Sequence, residues 1–206
     1  MIVVNHPLVR VHMTIIRDQE STVDQFRSHL TALAHLMAFP VLQDLATESV
    51  RVHTPLAETG GERLLYEPVL VPILRAGLGL VEGFRDLIPR SIVSHLGMYR
   101  DHRTKKPVRY YSNFPLNCQA HPFVLLDPML ATGGSAVDAL DYLKQEGAQD
   151  IRLVSIIAAP PGVALVESRH PDVKIFTAAL DEKLDHNAYI VPGLGDAGDR
   201  QFGTLE

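Results

Sequence analysis

The chain has 206 residues, 46% hydrophobic and 21% charged, with a formal net charge of -5 and a pI near 6.0. That balance suits a globular chain burying about 70% of its unfolded surface as one domain, residues 1–206, and argues against a general nucleic-acid binder, whose phosphate contacts need a dominant basic surface. Cys118 is the only cysteine, which excludes an internal disulfide and a cysteine metal centre, and the ten histidines contain no HExxH pair.

Residues 1–11 hold a short Val-rich start that gives way to Asn, His, Pro and Arg, and no run of 18 apolar residues follows anywhere. The expectation is a soluble, cytoplasmic chain without a leader. Ser21 or Thr22 caps a helix whose Phe26, Leu30, Leu33, Ala34 and Met37 share one apolar face. A shorter helix is expected after Pro40, then a strand over 50–56 and a polar turn over 58–63.

From Val69 onward the pattern alternates. Residues 69–73, 91–98, 123–126, 151–158 and 173–179 read as strands, and 78–87, 135–146 and 162–169 as helices. This alternation predicts an α/β fold with a mainly parallel sheet flanked by helices on both faces. Ligands of such sheets bind outside the carboxyl ends of the strands, where Arg75, Arg100 and Asp127 all fall.

The run Val124-Leu125-Leu126-Asp127-Pro128-Met129-Leu130-Ala131-Thr132-Gly133-Gly134-Ser135-Ala136 carries the most chemistry. A short unbroken apolar run ends at one carboxylate, and small residues then open a helix with Ala136, Ala139, Leu140 and Leu143 at helical spacing and Gly147 as its stop. The first amides of that helix lack intrahelical partners, so the loop can cradle an anion. The spacing matches neither a nucleotide P-loop nor a dinucleotide fingerprint. Taken alone, Thr-Gly-Gly-Ser is equally an ordinary strand-to-helix turn.

Arg75 sits in a turn with Ala76 and Gly77, small enough for backbone to approach a ligand. Residues 100–109 carry five Lys or Arg against one Asp, a run that is either a solvated turn or a basic loop beside an anionic leaving group. The tail interleaves Gly193, Gly195 and Gly198 with Asp196 and Asp199, a pattern read as forbidding regular helix and exposing backbone donors and acceptors.

Residues 124–135 resemble the phosphoribosyl pyrophosphate motif of type I phosphoribosyltransferases, and "DPMLATGGS" is similar to the version found in uracil phosphoribosyltransferases. Most of the superfamily places two acids together; here Pro128 takes the second place, as in the uracil branch. Val71-Pro72-Ile73-Leu74-Arg75-Ala76-Gly77-Leu78-Gly79, Gly97-Met98-Tyr99-Arg100 and the run from Tyr189 to Arg200 match the same family in the same order.

The resemblance implies a type I phosphoribosyltransferase fold with a flexible β-arm and a C-terminal base-binding hood. It implies conversion of uracil and 5-phospho-α-D-ribose 1-diphosphate to UMP and diphosphate, in pyrimidine salvage. By the same resemblance Arg75, Arg100, Asp127 and Asp196 are catalytic. Phosphoribosyl diphosphate falls to Arg75, Arg100, Asp127, Pro128, Met129, Leu130, Ala131, Thr132, Gly133, Gly134, Ser135 and Asp196, and uracil to Ile190, Gly195, Asp196 and Ala197. Mg²⁺ is expected mainly on the diphosphate, with no metal site of the protein's own. A dimer or tetramer and a GTP effector are family expectations.

Two departures stand out. Where the family shows Tyr-Glu-Ala-Thr-Arg-Asp-Leu, this chain reads Phe39-Pro40-Val41-Leu42-Gln43-Asp44-Leu45, which touches the family's subunit contacts and effector response. Leu205 and Glu206 follow the point where the family closes and are given no role. A nucleic-acid-binding regulator on the same fold would need a basic face or an added domain, which this chain lacks. Purine phosphoribosyltransferases lack the run from Tyr189 to Gly203.

Overall fold

The computed structural model describes residues 1–100 and 107–204; at 97–100, 107–110 and 112 the description is of backbone alone. In chain order the elements are β1 (Ile2–Val3), α1 (Pro7–Arg17), α2 (Val23–Leu42), β2 (Thr47–His53), β3 (Glu58–Leu64), β4 (Val69–Pro72), α3 (Leu78–Leu87), β5 (Ile92–Val93), β6 (Leu96–Arg100) and β7 (Pro107–Ser112). They continue with β8 (Pro122–Leu126), β9 (Met129–Leu130), α4 (Gly134–Gln145), β10 (Asp150–Ala158), α5 (Pro160–Arg169), β11 (Lys174–Leu180), β12 (Lys183–Leu184), β13 (Ile190–Val191) and α6 (Ala197–Phe202).

The central sheet is parallel in the order β1-β11-β10-β8-β4-β5, with β9 also on β10. Because side chains alternate across a strand, each strand feeds two cores. Leu70, Val124, Leu126, Val154 and Phe176 face α1, α2 and α3, whereas Val69, Val71, Phe123, Leu125, Leu153 and Ile175 face α4 and α5. Strands buried on both faces must be apolar at every position, hence the unbroken runs.

Helix α2 begins at Thr22 with a capping box, Thr22 taking the Gln25 amide while the Gln25 side chain takes the Thr22 amide. It does not yield to a separate helix after Pro40 but runs through that proline to Leu42. Met37, Ala38 and Val41 are fully buried around it, and their packing outweighs one lost amide bond near the helix end. Helix α1 was not expected from the sequence. Pro7 opens it, the His6 ring accepts the Leu8 amide, and Val9, Met13 and Ile16 form its buried stripe.

Residues 58–63 are not a turn but β3, paired antiparallel with β2 over its whole length. Both faces of this ribbon are largely exposed, so its residues are polar and its register is held by cross-strand pairs, Arg63 with Glu48 at 2.7 Å and Arg51 with Glu58 at 3.2 Å. The expected strand at 50–56 accordingly ends at His53, and Thr54 closes the turn onto Ala57.

The expected strand at 91–98 divides in two. Buried Ser94 donates its hydroxyl to the Asn113 carbonyl, and β6 turns out of the main sheet to pair with β7, touching β4 through an Ile73–Leu96 bridge. In the region that departs from the family, Asp44 accepts from the fully buried Arg152 at 2.8 Å and from Lys174, fastening the end of α2 to β10 and β11. Those bonds hold the Asp44 carboxyl below the usual carboxylate range, the one from Lys174 most of all.

At the carboxyl edge, the Ile73 amide donates to the Leu126 carbonyl at 2.9 Å, and the Gly77 amide donates to Ile73. A Cβ at Gly77 would collide with the Leu126 oxygen and stand 2.6 Å from the Ile73 nitrogen. Gly77→Ala is therefore expected to cost about 1–3 kcal/mol by overpacking and to lower catalysis beyond that loss, measured by urea denaturation beside initial rates. Unchanged stability would show that the loop gives way freely.

Candidate active site

Asp127 follows β8 directly, and its amide donates to Val154 in the neighbouring strand. Its carboxyl is only partly exposed, and burial pushes its pKa up to about 6. The Met129 amide, at 3.3 Å, is a weak donor to it that opposes the rise.

Pro128 and Leu130 are committed inward, while Met129 is half-buried. The Pro128 carbonyl takes both the Ile156 and Ile157 amides, the Leu130 carbonyl takes Ala159, and the Pro128 and Leu130 side chains are buried. On this stretch Asp127, Met129 and residues 131, 132, 134 and 135 keep some exposure, whereas Pro128, Leu130 and Gly133 are buried. Gly133 caps α4 with φ at +83° and offers no side-chain oxygen, so the first amides of α4 are left for an outside acceptor. A Cβ there would lie 2.8 Å from the Gly162 oxygen, because the loop is packed on the start of α5. Thr132 and Ser135 are exposed at its rim.

The Arg75 loop abuts this edge through Ile73 and Gly77, and the Leu74–Arg75 peptide is cis. The Arg75 guanidinium is mostly exposed, pairs with Asp199 at 3.0 Å and lies 5.8 Å from the Phe202 ring centroid. Hydrogen bonds from Thr204 and then Arg75 hold the Asp199 carboxyl below its ordinary range. The Gln201 side chain donates to the Ala76 carbonyl at 2.8 Å, completing the seat of α6 on this loop.

The tail departs from the sequence expectation at this point: the Gly-Asp pattern does not forbid helix, since α6 forms over Ala197–Phe202. Asp196 caps it by accepting the Asp199 amide at 2.9 Å, Gly203 ends it at φ +69°, and Ala197 and Gln201 are buried beneath it. Ile190 is buried in the core beside the β12–β13 ribbon, which leaves only its backbone for a ligand. Gly195, at φ +77°, is exposed, and Asp196 is half-buried.

Arg75, Asp196 and Asp199 are therefore brought together, and the Arg75 loop touches the strand end that presents Asp127. Arg100 closes β6, but its side chain lies outside the described residues, as do residues 101–106 of the basic run. Sequence reading assigned no role to Arg17, Asp181, Arg200 and Gln201, which hold the tail in place. The spacing of Val9, Met13 and Ile16 behind Pro7 was the signal that would have placed Arg17 on a helix.

A family model described as uracil phosphoribosyltransferase matches residues 3–204. A uracil phosphoribosyltransferase of Symbiobacterium thermophilum is 51% identical over 205 residues, covering 99% of this chain and 98% of its own. One from Finegoldia magna is 49% identical over 203 residues, covering 98% and 97%. A solved structure of an Aquifex aeolicus protein superposes with a TM-score of 0.91 at 35% identity, covering 98% of this chain and 97% of that one. A hypoxanthine-guanine phosphoribosyltransferase from Bacillus anthracis, with a TM-score of 0.52 and 9% identity, shares the fold alone. With matched motifs on one carboxyl edge and relatives near half identical over almost the full length, the chain belongs to the uracil phosphoribosyltransferase family.

Proposed function

We propose that the crevice between the Arg75 loop, Asp127, residues 131–135 and the tail is where this chain joins uracil to a phosphoribosyl group. As a uracil phosphoribosyltransferase it converts uracil and 5-phospho-α-D-ribose 1-diphosphate to UMP and diphosphate. The observation that carries the site is the seating of the Arg75 loop directly on the strand end that precedes Asp127.

In this reading the amides of residues 131–135 anchor the 5′-phosphate at the positive end of α4, and that remote binding energy positions C1 of the ribose. Ionised Asp127 accepts the ribose hydroxyls and faces the positive charge that grows near C1. Arg75, with Arg100 by family resemblance, meets the charge gathering on the diphosphate as the C1–O bond breaks. Backbone of Ile190 and Gly195 to Ala197 reads the imide edge of uracil, whose N1 bonds to C1 and gives up its proton.

One carboxylate with Pro128 beside it is a poor cage for a hard cation. That donor set fits Mg²⁺ held by the diphosphate oxygens beside Asp127, where the ion would neutralise the leaving group. A homo-oligomer, a GTP effector and a cytoplasmic setting rest on the family resemblance. Among the described residues, no helix is long and apolar enough to cross a membrane.

Incubation with phosphoribosyl diphosphate, Mg²⁺ and one base at a time is expected to give UMP from uracil and no nucleotide from purines. Ligand binding without UMP formation would sink the enzymatic reading.

Below a pH of about 6 Asp127 gains a proton and loses an acceptor. The kcat/KM for phosphoribosyl diphosphate should therefore fall as pH drops through 6, and Asp127→Asn should lose that limb. An identical limb in the variant would assign it to another group.

Asp196→Asn keeps a competent helix cap but removes a base. A fall in kcat of about 100-fold with little change in melting temperature is expected if Asp196 takes the N1 proton; near-normal turnover would leave it only the cap.

A further inference from the structure

The segment 190–197 stands outside the main sheet, paired only to the two-residue strand β12. Its backbone must nonetheless be fixed closely if it is to read a small planar base. The turn at its centre is Gly193, at φ +67°, folded so tightly that a Cβ would collide with the Ile190 oxygen. Pro192 on one side is exposed and Leu194 on the other is buried.

Asp181, just past the end of β11, grips this turn. It is 6% exposed, and its amide donates to Ala158, the last residue of β10. One carboxylate oxygen takes the Gly193 amide at 2.8 Å and an Arg17 nitrogen at 2.8 Å; the other takes the second Arg17 nitrogen at 2.5 Å. Arg17 also donates to the Gly193 carbonyl at 2.9 Å. Both polar groups of Gly193 are thus held by one ion pair, whose cation is the last residue of α1.

A second cation grips the next residue from the other side. Arg200 donates to the Leu194 carbonyl at 2.8 Å, to Ile16, and to Asp18 at 2.5 Å, with its guanidinium 4.6 Å from the Phe26 ring centroid. The carboxyl end of α1 is therefore fastened to residues 193 and 194 by two guanidinium groups.

We propose that Arg17 and Asp181 are positioning residues for base recognition, fixing the Gly193 backbone and so the placement of Gly195 to Ala197 over the crevice. This rests on the reading that Ile190 and Gly195 to Ala197 face uracil. The pair acts through geometry that a lysine cannot copy, because a single ammonium does not present a planar fork to a carboxylate and a carbonyl together.

The test is steady-state kinetics of Arg17→Lys and Asp181→Asn at a temperature where melting curves show each variant folded. Arg17→Lys keeps the charge and is the milder change, so it decides the matter should Asp181→Asn fail to fold. The KM for uracil is expected to rise roughly tenfold or more, with a smaller rise in the KM for phosphoribosyl diphosphate, which shares only Asp196 with this segment, and Arg17→Ala is expected to exceed Arg17→Lys. Equal shifts in both KM values, or a folded Arg17→Lys with unaltered KM for uracil, would overturn the assignment. A wild-type chain that forms no UMP would instead remove the functional reading beneath it.

Discussion

The hydrogen bond from the Ile73 amide to the Leu126 carbonyl brings two parallel strands to the same height at the carboxyl edge. Everything proposed for catalysis hangs on that junction. It lets the Arg75 loop turn back within a backbone's thickness of β8, which only a residue without a side chain at position 77 permits. Helix α6 then closes on the loop through Gln201 and Ala76, and the Arg75–Asp199 pair ties tail to loop at the surface. An exposed pair of this kind adds little stability on its own. Its consequence is orientation, since Asp199 holds the Arg75 guanidinium between loop and tail.

The two ends of the chain meet through charge and hydrogen bonding laid over a shared apolar core. Helix α1 covers the sheet with Val9, Met13 and Ile16, but its last turn reaches the tail through Arg17, Asp181 and Arg200. A nearly buried carboxylate such as Asp181 is tolerable only while its cation and the Gly193 amide stay in place, because removing either leaves charge or dipole without compensation. Such groups specify one geometry sharply. That suits a segment proposed to read a base with its backbone.

How much of this was legible in the sequence depended on which signal carried it. The buried parallel strands were plain because burial on two faces leaves unbroken apolar runs such as Phe123 to Leu126, and the turn into α4 was plain because Gly133 answers a local need. The β2–β3 ribbon was opaque for the opposite reason: exposed on both faces, its second strand carries polar and glycine residues that read as a turn. Helix α1 was hidden by exposed Leu8 and Val11, which blur its stripe, and by Pro7, which marks a helix start as readily as a break. In the tail the glycines dominated the reading, while the cap at Asp196 that starts α6 went unweighed. The Arg17–Asp181 clamp spans 164 residues, and no local pattern announces a contact of that range.

Asp127 followed by Pro128 leaves a single acid at this edge. Burial, opposed by the Met129 amide, moves the Asp127 pKa from 3.8 to about 6, so the folded chain favours the neutral form more than the unfolded chain does. The sign follows from linkage: as pH rises from about 4 to about 6 the unfolded state sheds its proton first, and the fold loses stability across that window. A second carboxylate at position 128 would set a like charge beside a carboxyl already raised by burial, and would raise it further. Pro128 avoids this, and its carbonyl instead joins the strand end to β10 through two amides. Ribose hydroxyls and a diphosphate-bound cation would then act on one carboxylate, favouring its ionised form. In the proposed reading, substrate binding near pH 6 therefore releases a proton from Asp127.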